Sequence, residues 1–254
     1  MISDRKLRLG TRGSLLARTQ SRLVSGQLEE LTPYRVTESI IHTEGDDVTA
    51  VLAKLSRPGI FVTALRAALL RKEVDFLVHS YKDLPSLPAP GITIAAVPAR
   101  EDHRDVLISR DGRTLMELAS GARVGTSSPR RAARIQHIRP DLNLLPIRGN
   151  IDTRLRKISE GEFDAGVLAA AGINRLQRSA EITEYLTTDQ LLPAPAQGAL
   201  AVECRSDDLE LLEVLAKLDD PPTRITTTAE RAILIGINAT CATVIRLIYF
   251  TLST

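Results

Sequence analysis

The chain has 254 residues, enough for two domains, and its 43% hydrophobic and 25% charged residues exclude an intrinsically disordered protein. Aromatic residues make up only 3% and tryptophan is absent, so no aromatic surface is available for stacking single-stranded nucleic acid, and we expect no nucleic-acid partner. The net charge of +2 is small, but it is unevenly distributed along the chain.

Neither end of the sequence predicts an export signal or a membrane anchor. The N-terminus, MISDRKLRLGTRGS, has no apolar signal region, and the most apolar stretch, Val244–Leu252, is interrupted by Arg246 and too short to span a bilayer. Cys204 and Cys241 fit neither a zinc pattern nor a disulfide framework. We therefore expect a soluble cytoplasmic protein that binds no membrane.

Apolar runs and amphipathic stretches alternate through the first hundred residues. KLRLGT predicts a strand, and Ser14 predicts the N-cap of a helix that runs to about Leu31. The other elements predicted for this run are a strand over 36–43, a helix over 61–70, and strands over 74–80 and 92–98.

The same alternation restarts at Ala122. We predict strands over 122–126, 142–148 and 164–170, a helix starting at Ser127, Ser128 and Pro129, a helix over 152–159 and a short helix near Asn174. A connector over 193–204 runs into one more strand, and a last helix covers 221–237. Two successive runs of strands and helices predict an α/β protein of two domains with largely parallel sheets.

Positive charge is concentrated between Arg123 and Lys157, where eight arginines and one lysine face two acidic residues. Such a surplus fits a solvated face or an anion site equally well, so the position of the cations in the fold has to decide. In open α/β sheets, ligands bind at the carboxyl ends of the strands, where helix N-termini offer free N–H groups. Hydroxyl, amide and charged side chains follow the predicted strands at these ends: Arg12, Ser14, Ser80, Lys82, Asp83, Thr126, Ser128, Arg130, Arg131, Arg148, Asn150 and Arg154. This placement favours an anion-binding cleft.

Few residues of the sequence can carry catalytic chemistry. The glycine-rich nucleotide motifs, the GxSxG motif and the HExxH motif are absent, and the four histidines are scattered, so we expect no metal site; His79 fits a buried strand position. Asp83 is either a turn or cap aspartate or a lone carboxylate that exchanges a proton or stabilises a developing cation in a cationic cleft. Lys82 as a Schiff-base lysine is the weaker alternative, because Asp83 opposes the required lowering of its pKa.

Cys241 is a single cysteine just after a helix, a position at which cysteine is more often a small buried apolar residue than a nucleophile. The residues alone thus predict two α/β domains, an arginine-lined cleft, one candidate carboxylate, and a polyanionic ligand that carries carboxylates or phosphates.

An ordered series of motifs resembles the hydroxymethylbilane synthase (porphobilinogen deaminase) family from about Leu7 to Cys241. The series is LRLGTRGSLLARTQ, HTEGD, LAKL, GIFVTALRAALL, VDFLVHSYKDLPS, REDHRDVLIS, VGTSSPRRAARI, IRGNIDTRLRK, DAGVLAAAGINRL, PAPAQGALAVECR and TAERA, with Cys241 nine residues further on. The resemblance implies a monomeric cytoplasmic transferase of tetrapyrrole and heme biosynthesis. It would condense four porphobilinogen molecules head to tail, with loss of one ammonia each time, and release linear hydroxymethylbilane by hydrolysis.

The resemblance also implies a dipyrromethane cofactor, made from the substrate and attached through a thioether to Cys241 rather than to Cys204. Asp83 would be the catalytic residue that assists deamination and stabilises a positively charged pyrrole. The cofactor would further be bound by Lys82, Ser80, Thr126, Ser128, Arg130, Arg131, Asn150 and Gln197. The substrate would be bound by Arg12, Ser14, Arg148, Arg154 and Arg175. Each pyrrole carries two carboxylates, which agrees with the clustered arginines.

By the same resemblance, the fold is α/β with two domains like those of type II periplasmic binding proteins, followed by a truncated third α+β domain. Domain 1 would comprise 1–98 and 197–218, domain 2 would comprise 99–196, and 219–254 would be a remnant of domain 3 with the cofactor cysteine. Two segments depart from the family pattern: LAKLSRPGIF at 52–61, and ATVIRLIYFTLST after Cys241, where the family has a sequence close to QVPIGAYA and continues.

Two alternatives to an active deaminase stay open. The divergent C-terminal segment favours an inactive, truncated homologue that only binds pyrrole carboxylates through the arginine cleft. An anion-binding protein of the periplasmic type is disfavoured because no signal peptide is predicted.

Overall fold

The structure, a computed structural model, describes residues 6–41 and 60–236. In chain order the elements are β1 (Lys6–Thr11), α1 (Leu15–Leu31), β2 (Arg35–Ile40), α2 (Ile60–Leu70), β3 (Phe76–Ser80), β4 (Ile92–Ala96), β5 (Asp105–Ser109), β6 (Arg123–Gly125), α3 (Pro129–Ile138), β7 (Asn143–Leu145), α4 (Ile151–Ser159), β8 (Ala165–Ala169), α5 (Ala170–Arg175), β9 (Glu184–Leu186), β10 (Leu200–Arg205), α6 (Leu209–Leu215) and α7 (Pro221–Gly236). Short 3₁₀ turns cover Tyr81–Asp83, Ser179–Glu181 and Ala216–Leu218. None of these helices is long and apolar enough to cross a membrane.

Two compact units divide the described chain. The first unit contains the described residues up to 103 together with 175–177 and 195–236, and the second contains 104–174 and 178–194. Each unit is built on one five-stranded sheet. The division into three domains, with a remnant of the third over 219–254, stays a prediction.

Both sheets follow the same plan. The strand order is β2-β1-β3-β10-β4 in the first unit and β7-β6-β8-β5-β9 in the second. In the first sheet β10 runs antiparallel to both of its neighbours, and in the second sheet β5 does the same, while the other described pairings are parallel. Four strands of each sheet therefore point one way, and the expectation of largely parallel sheets is confirmed.

The core of each unit forms where apolar helix faces cover the sheet. In the first unit, Val24 and Leu28 of α1 pack with Leu7, Leu9 and other sheet residues, and all four are fully buried. The spacing of four residues between Val24 and Leu28 places both on one helix face, as an amphipathic helix requires. Burying each leucine stabilises the fold by about 1.5–3 kcal/mol. The second unit buries two clusters of aliphatic side chains, one on each side of its sheet strands.

Helix starts agree closely with the sequence-based predictions, whereas three short elements were missed. Ser14 and Ser128 accept backbone N–H bonds at the starts of α1 and α3, as predicted. β5, β9 and α6 were not predicted. β9 has three residues and α6 has seven, and the brief apolar run of β5 has no period that separates a buried strand from a helix.

Candidate active site

The carboxyl ends of β1 and β3 lie at the edge of the first sheet where the sequence predicts site residues. The two strands are parallel neighbours, with Leu9 opposite Phe76, so Arg12 follows one strand end and Ser80 closes the other. Because β10 is antiparallel and its Leu200 lies opposite Ser80, β10 begins at this same edge. Side chains that follow β1 and β3 or precede β10 are thereby brought together, as the strand-end argument predicts.

Asp83 lies in the 3₁₀ turn that follows β3, with its side chain exposed. In the described ranges its carboxylate makes no hydrogen bond or ion pair within the protein. The neighbouring Lys82 side chain is oriented by a hydrogen bond, which its Nζ donates to Gln197 Oε1 at 3.1 Å. Gln197 is fully buried and donates from Nε2 to the His103 carbonyl at 2.8 Å, which fixes the amide orientation. The turn therefore presents an exposed carboxylate beside an oriented ammonium group.

Two serines of the predicted site, Ser80 and Ser14, form hydrogen bonds with nearby groups of the first unit. Ser80 Oγ accepts a 3.0 Å hydrogen bond from Gln20 Nε2, which joins the end of β3 to α1. Ser14 Oγ accepts from Ala17 N at 3.4 Å and caps α1. Both side chains stabilise the edge that carries Arg12 and Asp83. Their contacts with substrate and cofactor stay predictions.

Arg175 ends α5 as a half-buried cation of the first unit. Its Nη2 donates to the Gly198 carbonyl at 2.7 Å, while its buried Nε has no hydrogen-bond partner in the described part of the chain. Desolvation lowers the pKa of Arg175 to about 10, although the charge of Glu101 opposes the shift. Gly198 has φ +90°, and a Cβ there would lie 2.3 Å from the Glu101 carbonyl oxygen, so this position requires glycine.

Helix N-termini form the corresponding edge of the second unit. Ser128 Oγ accepts from Arg131 N at 3.4 Å, and Thr126 Oγ1 accepts from Ser128 N at 3.2 Å. At the start of α4, Asn150 Oδ1 accepts from Thr153 N at 2.9 Å. The caps fix the first turns of α3 and α4, and the positive ends of both helices favour a nearby anion.

Arg130 and Arg131 share one buried carboxylate, Asp105, which is fully excluded from solvent at the start of β5. Arg130 Nη2 lies 2.7 Å from Oδ2, and Arg131 Nη2 lies 2.7 Å from Oδ1. Burial alone would raise the pKa of Asp105, but the charges of Arg131 and Arg130 outweigh it and lower that pKa. The remaining Nη1 groups donate to the carbonyls of Leu192 and Val167. The triad keeps one net positive charge and a fixed geometry.

Arg154 and Arg148 form no ion pair with any carboxylate of the described residues. Arg154 is half-buried in the first turn of α4 and donates from Nε to the Gly149 carbonyl at 2.9 Å. Desolvation lowers the pKa of Arg154, and repulsion from Arg131 adds to the effect. Arg148 is exposed just before α4. A cation that burial penalises in this way gains from a bound anion.

Carboxylates neutralise the rest of the positive segment only in part. Ion pairs join Arg123 to Asp164, Arg139 to Asp141, Arg156 to Glu160 and Lys157 to Glu162. Arg134 instead donates to the carbonyls of Gln190 and Asp189. Four cations of the segment are therefore paired with carboxylates, and the unneutralised charge lies on Arg134, at the start of α4 and on the Asp105 triad.

Sequence reasoning missed Asp105, Arg100 and Arg231. A usable signal existed for Asp105, because a charged residue that opens a buried apolar strand needs an opposite charge. The two arginines bind main-chain carbonyls at long sequence separation, and no local pattern indicates such contacts. Among residues correctly interpreted, His79 lies buried in β3 as predicted. Cys241 lies outside the described residues, as do the predicted departures at 52–59 and after Cys241.

The architecture defines a class of protein before any relative is considered: two α/β units of one strand order, each with cations and helix N-termini at the carboxyl edge. A solved ABC-transporter periplasmic substrate-binding protein from Coxiella burnetii has the same fold, with a TM-score of 0.52 over 89% of this chain and 97% of its own, at 12% identity. The predicted fold of type II periplasmic binding proteins is thereby confirmed.

Within that class, the family is shown by sequence. Residues 7–213 match the family model described as "Porphobilinogen deaminase, dipyromethane cofactor binding domain". Porphobilinogen deaminase 1 of Streptomyces coelicolor is 49% identical over 245 residues, which cover 95% of this chain and 77% of that relative. Porphobilinogen deaminase of Mycobacterium bovis is 52% identical over 237 residues, covering 93% and 76%. The chain belongs to the porphobilinogen deaminase family. It is a transferase of tetrapyrrole biosynthesis with the family's dipyrromethane-binding domain, and these predictions are confirmed.

Proposed function

We propose that the chain is an active hydroxymethylbilane synthase. It condenses four porphobilinogen molecules head to tail on a dipyrromethane primer attached through a thioether to Cys241, and each addition releases one ammonia. Water then cleaves the bond between the primer and the new tetrapyrrole, which releases linear hydroxymethylbilane. We propose further that it acts as a monomer in the cytoplasm. The observation that carries the proposal is the burial of Arg154 and Arg175, which lowers the pKa of both although neither forms an ion pair with a carboxylate of the described residues, together with the exposed carboxylate of Asp83.

The residues fit a cofactor of this chemistry. Dipyrromethane carries four carboxylates, two on each pyrrole, and guanidinium groups can bind carboxylates with paired hydrogen bonds. Arg175 has a buried Nε with no hydrogen-bond partner in the described part of the chain, and burial lowers the pKa of Arg154. A carboxylate bound at either side chain would offset the desolvation that lowers its pKa. When bound, the cofactor supplies a nucleophilic pyrrole carbon from which the chain of pyrroles grows.

Asp83 acts on the substrate in this proposal. Its carboxylate holds the proton donors of the porphobilinogen pyrrole and stabilises the positive charge that develops on that ring as ammonia leaves. Lys82 is oriented by Gln197, and its ammonium group binds a carboxylate of the growing chain. The exposure of Asp83 leaves its carboxylate accessible to a ligand.

The arginines fall into two groups: two that a carboxylate of the protein holds in place, and four that bind carboxylates of the substrate. Arg130 and Arg131 are fixed by Asp105 and present one net positive charge to the cofactor. Arg12, Arg148, Arg154 and Arg175 bind the acetate and propionate groups of the substrate. Clustered cations suit a product that becomes more anionic with every addition, and a covalent tether retains it between additions.

The test is the intact mass of the purified chain before and after incubation with porphobilinogen, with bilane formation followed in parallel. An addition of two pyrrole units on Cys241 and steady bilane formation support the proposal. An unmodified chain that still binds porphobilinogen without turnover supports the inactive homologue instead.

The role of Asp83 is tested with Asp83→Asn against Asp207→Asn, an exposed aspartate of the same unit. We expect Asp83→Asn to abolish turnover while the attached cofactor mass remains, and Asp207→Asn to behave as the wild type. Normal turnover in Asp83→Asn would refute the assigned role.

A further inference from the structure

Arg231 of α7 is a buried cation with an unusual set of partners. Only 7% of the residue is exposed, yet no carboxylate of the described chain forms an ion pair with it. Nη1 donates to the carbonyls of Tyr81 and Leu84, both at 3.2 Å, and Nη2 donates to the Pro85 carbonyl at 2.5 Å. Desolvation lowers the pKa of Arg231. A costly buried charge is thus used to bind three main-chain carbonyls.

Those three carbonyls flank Asp83 on both sides. Leu84 N donates to the Tyr81 carbonyl at 3.2 Å and closes the end of the 3₁₀ turn, and a turn this short has little intrinsic stability. The Arg231 guanidinium also lies over the Tyr81 ring, 4.6 Å from its centroid. Within residues 6–41 and 60–236 no side chain or backbone group forms a hydrogen bond or ion pair with the Asp83 carboxylate, so among these residues the backbone of the turn sets its position.

Glu230, the preceding residue of α7, is linked to the same turn indirectly, through Arg100, Gln197 and Lys82. Glu230 Oε1 lies 2.6 Å from Arg100 Nη1, and Glu230 Oε2 accepts from Ala196 N at 2.6 Å. Arg100 Nε in turn donates to the Gln197 carbonyl at 2.8 Å, and the Gln197 side chain orients Lys82. Two adjacent residues of one helix therefore hold the backbone around Asp83 and the partner of Lys82.

We propose that Arg231 is a positioning residue for Asp83: it anchors the Tyr81–Pro85 backbone to α7 and so fixes the carboxylate relative to the substrate. The catalytic part of this inference rests on the proposed function, but the anchoring part does not. Misplacing a catalytic group by about 1 Å can lower a rate about 100-fold. Substitution of Arg231 should therefore lower kcat and change KM little.

The experiment compares Arg231→Met and Arg231→Lys with the control Arg224→Met. Arg224 lies on the same helix and also binds a backbone carbonyl, that of Ala95 at 3.0 Å, but within the described residues none of its hydrogen bonds goes to the turn. Hydrogen exchange of peptides that span 81–86 measures the anchoring directly and needs no activity. We expect at least about tenfold faster exchange in Arg231→Met, partial recovery in Arg231→Lys, and no change in Arg224→Met.

Turnover is then measured on folded, cofactor-loaded protein. We expect kcat of Arg231→Met to fall about 10- to 100-fold with KM within about threefold of wild type, and Arg231→Lys to recover part of the loss. Unchanged exchange at 81–86 would overturn the anchoring even if the wild type forms no bilane. Faster exchange with an unchanged kcat would overturn the positioning role. Failure of the wild type to form bilane contradicts the proposed function alone, because the exchange result is independent of it.

Discussion

Asp105→Asn is expected to be among the most destabilising single substitutions in the second unit. The carboxylate is fully buried and lies 2.7 Å from a guanidinium nitrogen of both Arg130 and Arg131. Asparagine keeps the shape but removes the charge, which leaves two buried cations to repel each other. Breaking a buried ion pair costs about 3–5 kcal/mol. With a urea m-value of about 2 kcal/mol/M, the unfolding midpoint should fall by about 1.5–2.5 M.

The assay is urea unfolding followed by far-UV circular dichroism, with Glu160→Gln as the matched control. Glu160 pairs with Arg156, and both side chains are more than half exposed, at 51% and 59%. An exposed pair of this kind contributes at most about 0.5 kcal/mol, so the control should hardly move the midpoint. Adding Arg130→Met to Asp105→Asn should recover part of the loss, because one unpaired charge is removed. A fall of less than about 0.5 M for Asp105→Asn would refute the reasoning.

Three further predictions follow from buried titratable groups. Arg175→Met should change the free energy of unfolding by less than about 1 kcal/mol, because it removes a cation whose desolvation lowers its pKa to about 10. The same substitution should raise KM for porphobilinogen, and an unchanged KM would contradict the assigned role. Burial raises the pKa of Glu203, but the His79 ring, whose Nε2 lies 3.2 Å from Glu203 Oε2, and hydrogen bonds from Arg66 outweigh it and lower that pKa to about 2 from 4.5. The resulting stabilisation is present above pH 4.5 and is lost as the pH falls towards 2. The urea unfolding midpoint should therefore fall more steeply between pH 5 and 3 in the wild type than in Glu203→Gln. Equal slopes in the two proteins would refute this prediction. Burial raises the pKa of the Cys204 thiol to about 12, so a maleimide should not label Cys204 in the native protein at pH 8. Peptide mass analysis measures the labelling, and rapid labelling of Cys204 would contradict the prediction.

The helix starts and the strand ends could be predicted from the sequence because their signals are local. Ser14 and Ser128 precede amphipathic stretches and cap α1 and α3 as expected. Parallel strands bring their ends to one edge, so the polar residues after β1 and β3 could be grouped without knowledge of side-chain contacts. The order of family motifs added the dipyrromethane cofactor, which no spacing of residues indicates.

The partners of the charged side chains could not be predicted, because they depend on contacts far apart in sequence. Arg131 and Asp105 are 26 residues apart, and Arg231 reaches a carbonyl 150 residues away. The positive segment therefore overstates the charge available to a ligand: Arg130 and Arg131 share a carboxylate that lies outside the segment. Conversely, Arg175 lies beyond that segment and only the resemblance indicated it, although its burial and lowered pKa make it a strong candidate for anion binding.

The two units differ in the polar residue at or just before the start of their antiparallel strand, which is β10 in the first unit and β5 in the second. This strand begins at the carboxyl edge of the parallel strands in both sheets, with Leu200 opposite Ser80 in one and Asp105 opposite Ala169 in the other. In the first unit the chain entering it supplies a neutral amide, Gln197, which orients Lys82 without adding a negative charge. In the second unit the strand supplies a carboxylate that binds two arginines and leaves one positive charge. A carboxylate in place of Gln197 would pair with Lys82 and repel Asp83, so the first edge needs the amide, whereas the second needs the acid to keep two adjacent guanidinium groups buried. One strand order thus yields an exposed carboxylate beside an oriented ammonium group in the first unit, and a buried carboxylate that holds two guanidinium groups in the second.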